Sequence, residues 1–167
     1  MTELPADLLS LAKEVLLAAK SRNKRVVTAE SCTGGLLAGC LTAHPGSSAV
    51  VDCGFITYSN ESKTRLLGVP SDAVAELGAV SDVVASAMAE GALAQANADL
   101  AVSITGIAGP DGGTKEKPVG LVFMALAQTG TDAQVKRYIF AGTRTDIRRA
   151  AVGAALELML GCLKDGD

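Results

Sequence analysis

The chain of 167 residues contains no tryptophan, three phenylalanines, two tyrosines and a single histidine, His44. Its core must therefore come from aliphatic side chains, and any imidazole chemistry has one candidate. The four cysteines, Cys32, Cys40, Cys53 and Cys162, form no C-x-x-C pair. With one histidine, this argues against a zinc cluster, and the thiols read as those of a reduced, cytosolic protein. A net charge of −3 leaves no basic footprint for nucleic acid. No apolar run approaches the ~18–20 residues of a membrane span. The N-terminus carries Glu3 and Asp7 and no basic stretch before an apolar core, so it does not read as a signal peptide. These absences point to a soluble, cytoplasmic protein with neither nucleic-acid nor membrane partners.

Hydrophobic residues make up 49% and charged residues 20%, which are ordinary globular values. The length fits one domain spanning residues 1–167, and a chain of this size buries roughly 68–70% of its unfolded surface. Taken in order, Pro5–Lys20 places Leu8, Leu11, Ala12, Val15, Leu16 and Ala19 at helical spacing. A β-branched strand, Arg25–Ala29, leads through Glu30–Gly35 into a helix ending near Thr42, and the Ala43–Ser48 loop breaks the pattern. Ala49–Tyr58 reads as a strand in which Gly54 marks a bulge or a close approach. Ser59 or Asn60 caps a short helix closed by Gly68. A second short helix ends at Gly78, and Ser81 caps a longer one running to about Ala98. Asp99–Thr105 is a buried-type strand, Gly106–Pro118 a turn-rich loop, and Val119–Ala127 with Gln134–Phe140 a hairpin. Thr143–Leu163 closes the chain as a helix. The alternation predicts an α/β protein, a three-layer α/β/α sandwich with a mixed, mostly parallel sheet.

The stretch Thr28-Ala29-Glu30-Ser31-Cys32-Thr33-Gly34-Gly35 is the strongest candidate site. A strand-turn-helix passage presents backbone N–H groups and a serine hydroxyl at the carboxyl end of a sheet, where open α/β folds bind ligands. Its glycines let a ligand approach the main chain. It is neither a P-loop nor G-x-S-x-G, and Ser31 taken alone equally suits a helix N-cap. His44 lies beyond the following helix, roughly 15 Å away if that helix runs about ten residues at ~1.5 Å each, so it reads as a surface histidine. Lys63 is the other candidate base. It falls in the first turn of a helix, where the macrodipole disfavours a cation, and partial burial would add to that effect. A neutral amine can accept a serine proton. The plain alternative is a solvated helix lysine paired with nothing. Tyr58, five residues earlier, either relays a proton in the same crevice or packs on the sheet.

Other features are weaker. Cys32 adjoins Ser31 but has no histidine partner and reads as a packing thiol. The loop from Thr105-Gly106 to Gly113 is a phosphate or oxyanion nest, or a connector. Thr114–Lys117 reads as a solvated charge run. Arg144, Arg148 and Arg149 stand at the start of the last helix, where the dipole does not favour cations. They either meet an anion or pair with acids.

Four segments together resemble the C-terminal domain of the CinA (competence/damage-inducible) family: Thr28–Gly35, Gly54–Lys63, Gly78–Ser81, and Ser103–Gly113 with Lys117–Gly120. Stand-alone members of that family are nicotinamide-nucleotide amidohydrolases. The resemblance implies hydrolysis of the carboxamide of nicotinamide mononucleotide, with Ser31 as nucleophile and Lys63 and Tyr58 assisting, in bacterial pyridine-nucleotide salvage. The expected substrate contacts are Glu30, Thr33, Gly34, Gly35, Thr105, Gly106 and Arg144. The N–H groups near Thr33 and Gly34 would hold an oxyanion, and no metal or organic cofactor is required. Longer CinA proteins carry an additional N-terminal nucleotide-processing domain, whose activity is not expected here. The rival expectations are a non-catalytic nucleotide-binding module and a hydrolase of another small amide. Alanine-rich faces such as that of the last helix suggest a homo-oligomer.

Overall fold

The computed structural model describes residues 4–165; Glu3 lies outside them. The first helix, α1 (Ala6–Ser21), buries the apolar stripe read from its spacing, Leu8, Ala12, Val15, Leu16 and Ala19. Strand β1 (Val26–Glu30) is buried along its whole length, as a central strand covered on both faces must be. It is followed by α2 (Leu36–Thr42), a 3-10 turn at Ser47–Ala49, and strand β2 (Val51–Ile56).

Helix α3 (Asn60–Leu67) begins where the Ser59 hydroxyl accepts from Ser62 N–H and ends at Gly68 in the left-handed region. Helices α4 (Ser71–Leu77) and α5 (Asp82–Gln95) follow, and Ser81 caps the second by accepting from Val84 N–H. Strands β3 (Leu100–Gly106), β4 (Leu121–Gln128) and β5 (Gln134–Ile139) complete the sheet, and α6 (Arg144–Asp165) crosses back over it.

The sheet order is β2-β1-β3-β4-β5. The three strands β2, β1 and β3 run parallel, and the β4–β5 hairpin adds two antiparallel pairings. The sheet is thus mixed, with its parallel part around β1. Alternation divides the core into two layers. Val26, Val102, Ile104, Val122 and Met124 pack with α1, α2 and α6. Val27, Ala29, Ala101 and Ala125 pack with Val84, Ala85, Met88, Ala89 and Ala92 of α5. On this second face small residues meet small residues, which lets α5 lie close to the strands. The three-layer α/β/α arrangement follows, and the alanine-rich face of α6 is used within it: Ala151 and Ala155 are fully buried.

Two details shape the site end. Val26 pairs with Val51 and Val27 with Cys53, so the extra residue of the β2 bulge is Asp52 rather than Gly54. Gly54 instead marks a close approach, since a Cβ there would stand 2.8 Å from Thr28 Oγ1 and 3.2 Å from the Ala38 side chain. The chain leaves β1 over one face to reach β2 and returns over the other face to β3. The loops after β1 and β3 therefore diverge, and a crevice opens at the carboxyl ends of the parallel strands.

Candidate active site

Ser31 stands one residue beyond β1, where its N–H continues the ladder by donating to Ile104 O at 2.9 Å. The next residues form a turn, with Gly34 N–H donating to Ser31 O at 3.0 Å and Leu36 N–H to Thr33 O at 3.2 Å. Gly35, at φ +94°, is the first residue of the passage into α2, and a Cβ there would meet Ile56 Cδ1 at 2.9 Å. The left-handed φ is one that ordinary L side chains rarely adopt.

Glu30, expected among the substrate contacts, is fully buried instead. Its carboxylate accepts from Gly35 N–H at 3.0 Å, Leu37 N–H at 3.1 Å and Ala38 N–H at 2.9 Å. It satisfies the orphan donors at the start of α2, a task usually left to a cap side chain. Ser31 is thereby freed from capping, and its half-buried hydroxyl faces a different partner.

That partner is Lys63. Its side chain is 1% exposed, and its Nζ donates to Thr57 O at 2.7 Å and to Ser31 Oγ at 3.1 Å. Among the described residues no carboxylate pairs with it. Burial pushes the amine below its ordinary value, because an unpaired ammonium is costly away from water. A Cys32 thiolate would hold it up, but burial pushes that thiol up to about 11. The thiol is therefore uncharged near neutrality, and Cys32 is unsuited to attack. A neutral Lys63 amine can keep its bond to Thr57 O while its lone pair accepts the Ser31 proton.

Tyr58 does not join this pair. Its ring is 59% exposed, and its hydroxyl accepts from the Arg144 guanidinium at 2.8 Å, while the same arginine donates to Gly109 O at 2.8 Å. Tyr58 and Arg144 therefore form a second unit at the mouth, tying the end of β2 to the loop after β3. Thr105 is fully buried and its hydroxyl donates to Ala79 O at 2.8 Å. Gly106 lies against β4, with Leu121 O 2.8 Å from where a Cβ would be. Both positions, expected to touch substrate, hold the crevice walls in place. Lys117, read as part of a solvated charge run, donates to the carbonyls of Leu77 and Val80 and binds the same wall.

The oxyanion expectation is also altered. Gly34 N–H is occupied by Ser31 O, whereas no described hydrogen bond uses Cys32 or Thr33 N–H. The Thr33 hydroxyl is buried without a partner. Arg148, which sequence reasoning could not distinguish from its neighbours, donates from Nε to Cys32 O at 3.1 Å and from a terminal nitrogen to Thr33 O at 2.9 Å. Its spacing of four from Arg144 was the available signal, since it puts both on one helix face. Arg149 points away and pairs with Asp7 at 2.8 Å. His44 is held by Leu9 O at 2.8 Å beyond the far end of α2. A groove of ≈ 430 Å³ between the hairpin and α6, lined in part by Tyr138, Glu157 and Cys162, contains neither Ser31 nor Lys63. Among the described residues no cluster of His, Cys, Asp and Glu could hold a metal ion, and no helix is long and apolar enough to cross a membrane.

A half-buried serine bonded to a buried lysine at the carboxyl end of β1 in an α/β/α sandwich defines the class. Within it, the model of the CinA C-terminal domain matches residues 8–163. The nicotinamide-nucleotide amidohydrolase PncC of Escherichia coli K12 is 48% identical over 154 residues, covering 92% of this chain and 93% of that protein. A CinA-like protein of Citrifermentans bemidjiense is 55% identical over 129 residues, 77% of this chain and 31% of that longer protein. The crystal structure of the competence/damage inducible protein CihA from Agrobacterium tumefaciens superposes with a TM-score of 0.93 at 46% identity, covering 99% of this chain and 100% of that one. The chain belongs to the CinA C-terminal domain family.

Proposed function

We propose that this protein hydrolyses the carboxamide of nicotinamide mononucleotide to nicotinate mononucleotide and ammonia, as the name of its Escherichia coli relative describes, and that it serves pyridine-nucleotide salvage. The observation that carries the reading is the 3.1 Å contact between the buried Lys63 amine and Ser31 Oγ. Neutral Lys63 takes the hydroxyl proton as Ser31 Oγ bonds the carboxamide carbon. The resulting oxyanion is received by Cys32 N–H, next to the nucleophile and without a hydrogen-bond partner among the described residues; a donor in such a position is worth about 2.7–4 kcal/mol. The Lys63 ammonium then returns its proton to the leaving nitrogen, the C–N bond breaks, and ammonia departs. Water, deprotonated by Lys63, cleaves the acyl-serine and releases the carboxylate.

In this scheme Lys63 alone delivers the proton to the leaving group. Tyr58 and Arg144 hold the nucleotide at the mouth, with the guanidinium facing its phosphate. Gly34 and Gly35 form the floor against which the ring lies, and the fully buried Thr33 supports them from beneath. Ammonia release from nicotinamide mononucleotide is the test. Release by the wild type and its loss in a folded Ser31→Ala variant are expected. A wild-type protein that binds the mononucleotide and yields no ammonia would reduce the assignment to a binding module. A homo-oligomer remains part of the proposal, and sedimentation of the purified protein tests it; a monomer at micromolar concentration would remove it.

A further inference from the structure

Arg148 is a half-buried cation that pairs with no carboxylate among the described residues and donates instead to two consecutive carbonyls of the Ser31–Gly35 turn. Its guanidinium runs along that backbone, and a Cβ on Gly34 would stand 3.5 Å from one of its nitrogens. The two carbonyls belong to peptide units whose other ends are Thr33 N–H and Gly34 N–H. A charged donor on a carbonyl draws electron density toward the oxygen and makes the N–H of the same unit a stronger donor. Gly34 N–H in turn donates to Ser31 O, the carbonyl of the peptide unit whose other end is Cys32 N–H, which adjoins the nucleophile and has no hydrogen-bond partner among the described residues. One turn earlier on α6, Arg144 reaches Tyr58 and Gly109. A single helix face thus touches the loops that follow all three parallel strands.

We propose that Arg148 is a positioning residue for the reaction at Ser31: it fixes the nucleophile turn and, through Thr33 O and the Gly34 N–H donated to Ser31 O, polarises the Ser31–Cys32 peptide so that Cys32 N–H receives the oxyanion. The inference rests on the hydrolytic reading of Ser31. It separates Arg148 from Arg144, because Arg148 acts on the transition state and leaves ground-state binding alone.

The test compares Arg148→Met, Arg148→Lys and, as a control on the neighbouring exposed arginine, Arg149→Met. In Arg148→Met, kcat is expected to fall by about 10–100-fold, less than for loss of a whole oxyanion donor, with KM unchanged. Arg148→Lys should lie between this variant and the wild type, because an ammonium cannot span both carbonyls. Added guanidinium at non-denaturing concentration should restore part of the Arg148→Met rate, and Arg149→Met should match the wild type. Wild-type kcat in either folded Arg148 variant, or a rise in KM at constant kcat, would overturn the proposal. So would failure of both variants to fold, which would make Arg148 a residue of the fold alone.

A second readout separates this inference from the substrate assignment. Phenylmethylsulfonyl fluoride reports the same turn without any amide: Ser31 Oγ bonds sulfur, Lys63 takes the proton and fluoride leaves. If the wild type is labelled at Ser31 but releases no ammonia from nicotinamide mononucleotide, the substrate assignment fails alone. The role of Arg148 then stands if Arg148→Met slows labelling by about tenfold or more, and falls if labelling is unchanged.

Discussion

The two ends of the parallel strands treat charge in opposite ways. At the amino end, Arg25 pairs with Asp52 at 2.9 Å and Lys24 with Asp99 at 3.6 Å, and the carboxylates also accept from backbone N–H groups of Asn97 and Arg25. These groups are partly open to water, apart from Arg25 Nε, which is buried without a hydrogen-bond partner among the described residues, and each charge has its opposite. At the carboxyl end, Lys63 is buried with no carboxylate partner, the Thr33 hydroxyl is buried without any, and the one buried carboxylate, Glu30, meets only backbone N–H groups. The first end fastens strands together. The second holds an amine whose protonation burial disfavours beside an alcohol, an arrangement that weakens the fold locally and is retained where chemistry requires it.

Four measurements sharpen or break that contrast. Ser31→Ala should reduce ammonia release by about 10⁴-fold or more while leaving the melting temperature near that of the wild type; a small loss of rate would place the nucleophile elsewhere. Glu30→Ala leaves the N–H groups of Gly35, Leu37 and Ala38 at the start of α2 without an acceptor. It should destabilise the protein by about 3–5 kcal/mol in urea titration, and a change below about 1 kcal/mol would show that α2 needs no such anchor.

Lys63 links activity and stability to pH. Because a neutral amine is the base, the rate should climb as pH rises through the lowered amine value and then level off. The folded chain resists protonating Lys63, so between that lowered value and the ordinary 10.5 the unfolded chain binds more protons. Wild-type stability should therefore gain on that of Lys63→Met as pH rises, by up to ~1.4 kcal/mol per unit inside the window. A difference that is flat across neutral and alkaline pH would mean the amine is charged in the folded protein. The smallest effect belongs to the amino end. Asp52→Ala should lower stability by ~1 kcal/mol or less, since the pair is partly solvated, with kcat and KM unchanged. A marked loss of activity would mean that the two ends are coupled.

Much of the fold was legible because β1 and β3 are short apolar runs, α1 carries a regular apolar stripe, and Ser59, Ser81 and Gly68 mark helix limits by local chemistry. The serine–lysine pair was legible for a similar reason, since Ser31 follows the end of β1 and Lys63 lies in the first turn of the helix after β2, and the alternation brings both to one edge. Glu30 was misread because a carboxylate beside a candidate nucleophile resembles a ligand contact, and only the path of α2 shows that its oxygens face three amides. Thr105 and Gly106 were misread because their partners, Ala79 and Leu121, lie on other elements. The partners of Lys117 and Arg148 were not legible for a deeper reason. Both side chains bind backbone carbonyls, and a carbonyl leaves no mark in an amino-acid sequence.

The placement of Arg144 and Arg148 on the last helix has a bearing on biosynthesis. The serine and its lysine leave the ribosome early, when the sheet still lacks the hairpin and its outer cover. The arginines that clasp the turn and the mouth emerge later, after every strand has been made. A nascent chain thus carries the serine and lysine for much of translation without the arginines that clasp the turn and the mouth.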